Sequence, residues 1–325
     1  MNILAKLQNV AAAALLCLSA VSNAQDVFPS RPIHLLVAFP PGGSTTVVAQ
    51  LLAEKLGERI GQPVIVENRP GANGVIASQG LLRAPADGYT MLMVVSTHAI
   101  NAVMRTSLPY DTQRDFRPVT TLYRLELVMV AHPSVKANDL RGFVSLAKTN
   151  PPGLNFAAGD NGGLTHLAAE TFNAEAGTSL PVVPYKGSGP ALTDTLGGHV
   201  QTYFSSPTAV IDYVRTGALK AYAISGGKRS SVLPGVPTFA ESGMPDFEAG
   251  SWAGILVPAG TPENNVKLLS REINAVMTLP DVREKLEGLG LEPFTNAPDE
   301  FAALIANDIQ RLGKVVRAAH MTPAQ

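Results

Sequence analysis

The sequence predicts an α/β fold in two lobes, each built on a mainly parallel sheet flanked by helices. Apolar runs of strand length alternate with segments whose apolar residues recur three and four positions apart, which is typical of strand–helix–strand units. After Val257 the pattern is helical only, so these last helices are expected to cover a sheet formed earlier in the chain. A chain of 325 residues is long enough for two domains. We therefore predict one discontinuous lobe, residues 25–125 and 226–325, and a second lobe of residues 126–225.

The elements follow from the same patterns. The predicted strands lie at Ile33–Phe39, Val64–Val66, Met91–Val95, Val128–Ala131, Asn155–Ala158, Val182–Pro184, Val200–Phe204, Leu219–Ile224 and Ala253–Val257. The clearest helical stripe consists of Val47, Val48, Leu51, Leu52, Leu56 and Ile60. The C-terminal helices are predicted at Glu263–Met277, Asp281–Leu289 and Pro298–Ala318, with no strand after them.

The first 24 residues are typical of a secretory signal. Lys6 precedes an apolar run from Val10 to Val21, and the small residues Ser22 and Ala24 favour cleavage after Ala24. A membrane anchor is the alternative, but the run is too short to span a bilayer. We expect an exported protein; the periplasmic location is implied only by the family resemblance given below.

Composition and charge exclude several classes of protein. The chain has 25 basic and 26 acidic residues and no basic run, so it is not expected to bind nucleic acid. Its one cysteine, Cys17, lies inside the apolar run of the signal, so the exported chain has no thiol for a disulfide or a metal. No cofactor is expected.

The segment "AFPPGGSTTVVAQ", residues 38–50, places a Pro-Gly-Gly turn between a strand and a helix. The first backbone N–H groups of a helix have no partner within it, and the helix dipole favours an anion at that end. Glycines let the backbone approach a ligand closely. The turn therefore suggests an anion site, although a helix capped by Ser44 or Thr45 after a tight turn is an open alternative.

Two later segments have a similar character. "GDNGGLTHLAAETF", residues 159–172, again follows a strand and is rich in glycine, with Thr165 at the start of the helix. "VPYKGSGPALTDTLGGHVQTYFSSP", residues 183–207, adds Lys186, the one basic side chain of these turns, which is equally well explained as a solvated surface lysine. If the first two turns face one another across a cleft, anion binding becomes the favoured interpretation.

Known catalytic motifs are absent from the sequence. There is no nucleophile elbow, phosphate-binding P-loop, dinucleotide fingerprint or zinc-protease motif. His166 and Glu170 lie four apart on one helix and form half a metal site at most, and a plain helix contact is the better explanation. An unrecognised hydrolase remains the weakly supported alternative.

The chain resembles the periplasmic solute-binding receptors of tripartite tricarboxylate transporters, often called Bug-type receptors. The resemblance rests on seven segments in order: "FPPGGST", "VIVENRPGANG", "ADGYTMLM", "HLAAETF", "VPYKGSGPALTDTLGG", "VPTFAESG" and "SWAGILVPAGTP". It implies a type II periplasmic binding fold of the Venus-flytrap kind, without enzymatic activity, that captures a small organic carboxylate between two lobes and delivers it to membrane transporter subunits. The protein is expected to be a monomer, and a role in presenting the ligand to a sensor kinase ectodomain stays open.

The resemblance also implies which residues contact the ligand. The ligand-binding residues would be Phe39, Pro41, Gly42, Gly43, Ser44, Thr45 and Thr46 from one lobe, with Ser96 and Thr97; and Asn161, Gly162, Gly163, Thr165, Tyr185, Lys186, Gly187, Ser205 and Ser206 completing the site. Many members have an aspartate where this chain has Thr46, and another where it has Ser205. That difference disfavours an amino acid ligand and favours an uncharged or dicarboxylate distal end.

The remaining landmarks have structural interpretations. Residues 67–74, "ENRPGANG", and the pair Asp87-Gly88 are expected to form turns. Trp252 is expected to lie in a core strand, and Glu67 and Arg69 to form an exposed pair. Lobe closure would be a hinge motion near Leu125–Val130 and Ala221–Gly226.

Overall fold

The structure, a computed structural model, describes residues 28–149, 151–159 and 161–321. The predicted signal and its cleavage after Ala24 lie outside the described residues. The strands of the described part are β1 Ile33–Val37, β2 Val64–Asn68, β3 Thr90–Val95, β4 Phe116–Glu126, β5 Val128–Ala131, β6 Phe156–Ala158, β7 Val182–Pro184, β8 Thr202–Ser205, β9 Lys220–Ile224, β10 Gly250–Pro258 and β11 Glu292–Pro293. The helices are α1 Ser44–Ile60, α2 Val75–Leu82, α3 Thr97–Met104, α4 Leu140–Lys148, α5 Leu164–Ala176, α6 Ser188–Leu196, α7 Pro207–Arg215, α8 Glu263–Met277, α9 Pro280–Gly288 and α10 Pro298–Ala318.

Two separate sheets organise these elements, which confirms the predicted α/β fold. The first sheet has the order β11-β4-β10-β3-β1-β2, and the second has the order β7-β6-β8-β5-β9. In the first sheet β1 to β4 run in one direction, while β10 and β11 are antiparallel to their neighbours. In the second sheet only β5 is reversed. Both sheets are therefore mainly parallel, with a reversed strand, β10 or β5, beside the parallel block.

Helices cover both faces of the first sheet. The stripe of α1 packs with Val266, Leu269 and Ile273 of α8 on one face, around the side chains of β1 and β3. Phe301 and Ile305 of α10 pack on the other face, with residues of α2 and α3. The expectation that the C-terminal helices return to an earlier sheet is confirmed.

Two expectations about strands were wrong. The pattern gave no strand between Val95 and Val128, yet β4 is the longest strand described, with 11 residues. Arg117 and Arg124 interrupt its apolar pattern, but β4 lies between β10 and β11 and gains its backbone partners from them. The chain after Val257 is also not helical only, since the short β11 lies between α9 and α10 and pairs with β4.

The chain passes from the first sheet to the second at Leu127 and returns between Ile224 and Gly250. The division into lobes with a boundary at residue 226 stays a prediction. Leu233, Val236 and the rings of Phe239 and Phe247 pack in the clusters of the second sheet. We therefore propose that residues 226–249 move with the second lobe. Within the described residues, none of the helices combines the length and apolar content needed to cross a membrane.

Candidate functional site

The two sheets place their parallel strands in matching positions. Counted outward from the reversed strand, the order is β10, β3, β1, β2 in the first sheet and β5, β8, β6, β7 in the second. Each of these six parallel strands leads through a loop or turn to a helix. In α/β sheets such loops at the carboxyl ends of strands form the ligand-binding crevice.

The carboxyl edges of the two sheets face each other. Glu126 ends β4 at the carboxyl edge of the first sheet, and Val128 begins β5 only two residues later. Val128 in turn pairs with Ser205, the last residue of β8, at the carboxyl edge of the second sheet. The predicted ligand residues lie at or after the carboxyl ends of β1, β3, β6, β7 and β8, so the topology brings these segments of the chain near the space between the two edges.

The first loop, residues 38–43, connects β1 to α1. Gly42 has φ of 97°, a left-handed conformation that favours glycine. Gly43 caps α1 with extended backbone, φ −80° and ψ 163°, and no side chain caps the helix. The carbonyl of Gly43 accepts bonds from the N–H groups of Thr46 and Val47 at 3.0 and 3.1 Å. No hydrogen bond between described residues uses the N–H groups of Ser44 or Thr45.

The space around this loop is open. Pro40 to Ser44 are exposed. A Cβ atom built on Gly42 or Gly43 would meet no atom within 4 Å. The helix N-terminus is therefore accessible to a ligand, which is the geometry that anion binding by backbone N–H groups requires.

The predicted contacts Thr45 and Thr46 differ in exposure. Thr45 is half-buried, and its hydroxyl lies 3.4 Å from the hydroxyl of Tyr123 on β4. The Thr46 side chain is only 2% exposed, and its hydroxyl donates to the Pro40 carbonyl at 3.2 Å. Thr46 thus faces the interior of its lobe.

The second loop, residues 159–163, connects β6 to α5 and is described except for residue 160. Gly163 caps α5 without a side-chain cap. The N–H of Gly159 donates to the Thr165 hydroxyl at 2.8 Å, and the N–H of Gly162 donates to Nδ1 of His166 at 3.0 Å. Gly162 has φ of 77°, and a Cβ atom there would lie 2.5 Å from Cε of Met104 on α3. The second loop therefore touches the first lobe, and a larger side chain at Gly162 would collide with it.

The serines at the carboxyl ends of β3 and β8 occupy matching places. Ser96 is 4% exposed, its hydroxyl lies 2.8 Å from that of Ser251 on β10, and its N–H donates to the Trp252 carbonyl at 3.0 Å. Ser205 is 5% exposed, and Ser206 is the N-cap of α7. Thr97 begins α3 and is half-buried. Because Val128 pairs with Ser205, these positions lie close to the two segments that cross between the sheets, which we call the strand junction, rather than at the outer part of the cleft.

Tyr185, Lys186 and Gly187 form the turn after β7. The Tyr185 hydroxyl donates to Asp194 at 2.8 Å, and burial together with this carboxylate raises the pKa of Tyr185 to about 12. Gly187 donates its N–H to the Gly159 carbonyl at 2.6 Å, which ties this turn to the second loop. Lys186 is exposed and takes part in no ion pair among the described residues. The one basic side chain of the predicted site is therefore solvated.

The other landmarks have the structural roles that were predicted. Gly71 and Gly74 have φ of 132° and 93°, and Gly88 has φ of 89°, as turns require. Trp252 is 5% exposed, and its Nε1–H donates to Asp308 at 2.7 Å. Glu67 and Arg69 form a pair at 2.8 Å between partly exposed side chains.

His166 and Glu170, for which a plain helix contact was the preferred prediction, are in contact with each other on α5. Nε2 of His166 lies 3.7 Å from Oε1 of Glu170. Among the described residues no group of three or more His, Cys, Asp or Glu side chains could hold a metal ion. Within residues 28–149, 151–159 and 161–321, this pair has no third ligand.

Sequence reasoning missed Asn68, the last residue of β2. Its amide Nδ2 donates to the Phe39 carbonyl at 2.8 Å and to the Thr46 hydroxyl at 3.0 Å. The segment that contains Asn68 was interpreted only as a turn. The available signal was its position at the end of a strand whose neighbour leads into the first loop.

Known proteins of one family are similar to this chain along most of its length. The sequence pattern described as "Tripartite tricarboxylate transporter family receptor" matches residues 48–321. The protein BugT of Bordetella pertussis is 40% identical over 294 residues, which cover 90% of this chain and 90% of BugT.

Solved structures of similar proteins share the fold. An R. palustris protein solved with adipate has a TM-score of 0.74 and 31% identity, and the match covers 91% of this chain and 100% of that one. MatC from Rhodopseudomonas palustris, solved with bound malate, has a TM-score of 0.70 and 31% identity, with 89% and 100% covered.

Proposed function

The chain belongs to the tripartite tricarboxylate transporter receptor family, and from that premise we propose that it captures a small organic carboxylate between its two lobes and delivers it to a membrane transporter. The observation that carries the proposal is a pair of uncapped helix N-termini, those of α1 and α5, in matching positions on facing sheet edges. Both are reached through glycine loops.

Backbone N–H groups supply the recognition in this proposal. The N–H groups of Ser44 and Thr45 have no partner among the described residues, and the dipole of the 17-residue α1 favours negative charge beside them. A hydrogen bond to a charged group contributes about 1.5 to 3 kcal/mol. Micromolar affinity corresponds to about −8.2 kcal/mol. Six such bonds at about 3 kcal/mol each sum to about 18 kcal/mol, so about 9 kcal/mol is left if lobe closure and ligand immobilisation cost about half of the sum.

The distal end of the ligand is proposed to be a second carboxylate or an uncharged group. Thr46 and Ser205 stand where many family members have aspartates, so the site offers no carboxylate there to an amino group. The adipate and malate of the two similar structures are dicarboxylates. We therefore favour a dicarboxylate.

Closure of the lobes is proposed to occur at the strand junction. Ser225 links the two crossing segments, since its hydroxyl accepts from the Leu127 N–H at 2.9 Å and its N–H donates to the Leu127 carbonyl at 2.8 Å. A ligand that contacts both loops favours the closed state by its differential affinity. We propose that the receptor acts as a monomer and without turnover.

A thermal-shift screen tests the proposal. The protein is exported from a bacterial host, purified from the periplasm and melted with small mono- and dicarboxylates and with the corresponding amides. A ligand at 100 times its dissociation constant adds about 2.7 kcal/mol of stability. Stabilisation by an acid but not by its amide is expected; no shift with any acid would contradict carboxylate capture.

Two further measurements test the cleavage site of the signal and the absence of turnover. Intact mass of the exported protein shows whether cleavage follows Ala24. Recovery of the bound acid unchanged, in a one-to-one ratio with protein, is expected for a receptor. Conversion of the acid into a product would contradict the absence of turnover.

A further inference from the structure

We propose that Asn68 is a positioning residue that holds the first loop ready for the carboxylate without contacting it. This inference rests on the proposed function, because the first loop is assigned to the ligand there. Asn68 lies on β2, whereas the loop lies between β1 and α1.

The register of the first sheet brings Asn68 to the base of the loop. In the parallel pairing of β1 and β2, Val37 is the partner of Asn68, and these are the last residues of the two strands. The N–H of Arg69 still donates to the Val37 carbonyl at 2.8 Å. The Asn68 side chain therefore starts from a fixed backbone position directly beside the loop.

Asn68 and Thr46 together connect both ends of the loop. One amide N–H bond of Asn68 reaches the Phe39 carbonyl at 2.8 Å, just after β1, and another reaches the Thr46 hydroxyl at 3.0 Å, in the first turn of α1. The Thr46 hydroxyl then donates to the Pro40 carbonyl at 3.2 Å. An amide NH₂ has two donors, and a hydroxyl that accepts one bond can donate another, so this relay uses both donors of Asn68 and the donor of Thr46.

The relay holds a part of the chain that has little side-chain packing of its own. Residues 40–44 are exposed, and a Cβ atom built on Gly42 or Gly43 would meet no atom within 4 Å. Hydrogen bonds at its base, rather than side-chain contacts at its tip, therefore determine the conformation of the loop. They also occupy the Phe39 and Pro40 carbonyls, whose partial negative charge would repel an anion if they turned toward it.

Affinity for the carboxylate should depend on the relay, because the relay determines the fraction of molecules whose first loop is in the binding conformation. The apparent dissociation constant equals the intrinsic one divided by that fraction. If loss of the relay lowers the fraction from near one to about a tenth, binding weakens about tenfold although no ligand contact is removed.

The test compares Asn68→Leu with a matched control. Asn265 on α8 is also half-buried, and its Nδ2 donates to the Asp87 carbonyl at 2.9 Å. Asp87 precedes β3, so it lies at the amino ends of the parallel strands, whereas the first loop lies at their carboxyl ends. Asn265→Leu therefore removes the same kind of bond from the same lobe, away from the cleft.

Three quantities are measured for each variant: the melting temperature, the affinity for the best carboxylate of the screen, and hydrogen exchange of the ligand-free loop. Asn68→Leu is expected to weaken binding about tenfold or more and to speed exchange of the Thr46 and Val47 amides, whose bonds to the Gly43 carbonyl close the loop, about tenfold. Asn265→Leu is expected to lower the melting temperature similarly, with affinity and loop exchange within twofold of the unaltered protein.

A second variant, Thr46→Val, removes the hydroxyl of the relay and keeps the test decisive if Asn68→Leu does not fold. It is expected to act in the same direction, and the double variant to lose less than the product of the single losses, since the bonds belong to one network. Equal loss of affinity in Asn68→Leu and Asn265→Leu, or unchanged loop exchange in Asn68→Leu, would overturn the inference. If the unaltered protein binds no carboxylate, the proposed function fails, while the exchange measurement still decides whether Asn68 positions the loop.

Discussion

Substitution of Gly43 by valine should abolish binding while the fold persists. Gly43 has φ −80° and ψ 163°, an extended conformation that valine adopts readily, and a Cβ atom there meets nothing within 4 Å. Gly42 would be a poorer choice, because its φ of 97° makes any side chain strained. Loss of glycine at this N-cap costs about 1 kcal/mol, or roughly 2 °C in a protein of this size.

The effect on binding should be much larger. A branched side chain at Gly43 covers the N–H groups of Ser44 and Thr45, which have no partner among the described residues. Two lost bonds to a carboxylate correspond to about 3 to 6 kcal/mol, which is a loss of roughly a hundredfold to more than a thousandfold in affinity. Isothermal titration with the best carboxylate of the screen measures this loss, and thermal melting checks the fold.

Gly235→Val is the matched control for this experiment. Gly235 is exposed, and a Cβ atom there also meets nothing within 4 Å, but it belongs to neither loop and lies in the segment whose Leu233 and Val236 pack on the second sheet. Its variant should bind normally. A folded Gly43→Val protein with unaltered affinity would refute the assignment of the first loop to the ligand.

Two further predictions concern side chains that titrate. Lys186→Met should weaken carboxylate binding less than tenfold in titration calorimetry, because Lys186 is exposed and backbone donors carry most of the recognition in the proposal. His98→Phe should make the free energy of unfolding less dependent on pH. Burial lowers the pKa of His98 to about 4, so the unfolded chain binds a proton at this residue before the folded chain does as pH falls below about 6.5. This difference lowers the free energy of unfolding by about 2 kcal/mol between pH 7 and pH 5.

Each of these predictions has an outcome that would contradict it. A loss above a thousandfold in Lys186→Met would show that the cation dominates. For His98, denaturant unfolding at both pH values compares the two proteins, and carboxyl groups elsewhere contribute equally to both. Identical pH dependence would mean that His98 is not held neutral between Tyr110 and Phe116, the rings it contacts.

The elements that the sequence predicted best are those whose pattern is local. The bounds of α8 and α10 match the predicted helices, because their apolar stripes recur along a single segment. The strand β4 was missed because Arg117 and Arg124 belong to a strand that is stabilised by partners more than a hundred residues away, β10 and β11. No local pattern carries that information.

The two loops show the same distinction within the candidate site. The second loop is fixed by its own helix, since Thr165 and His166 bind the N–H groups of Gly159 and Gly162 across six and four residues. The first loop is fixed by Asn68, which lies 29 residues from Phe39 and 22 from Thr46. The pattern of a Gly-rich turn before a helix therefore identifies both loops in the sequence. Only the register of β1 and β2 identifies Asn68 as the residue that holds the first loop. Because that loop is exposed and held at its base, its readiness to bind should respond to changes on β2 that leave every predicted ligand contact intact.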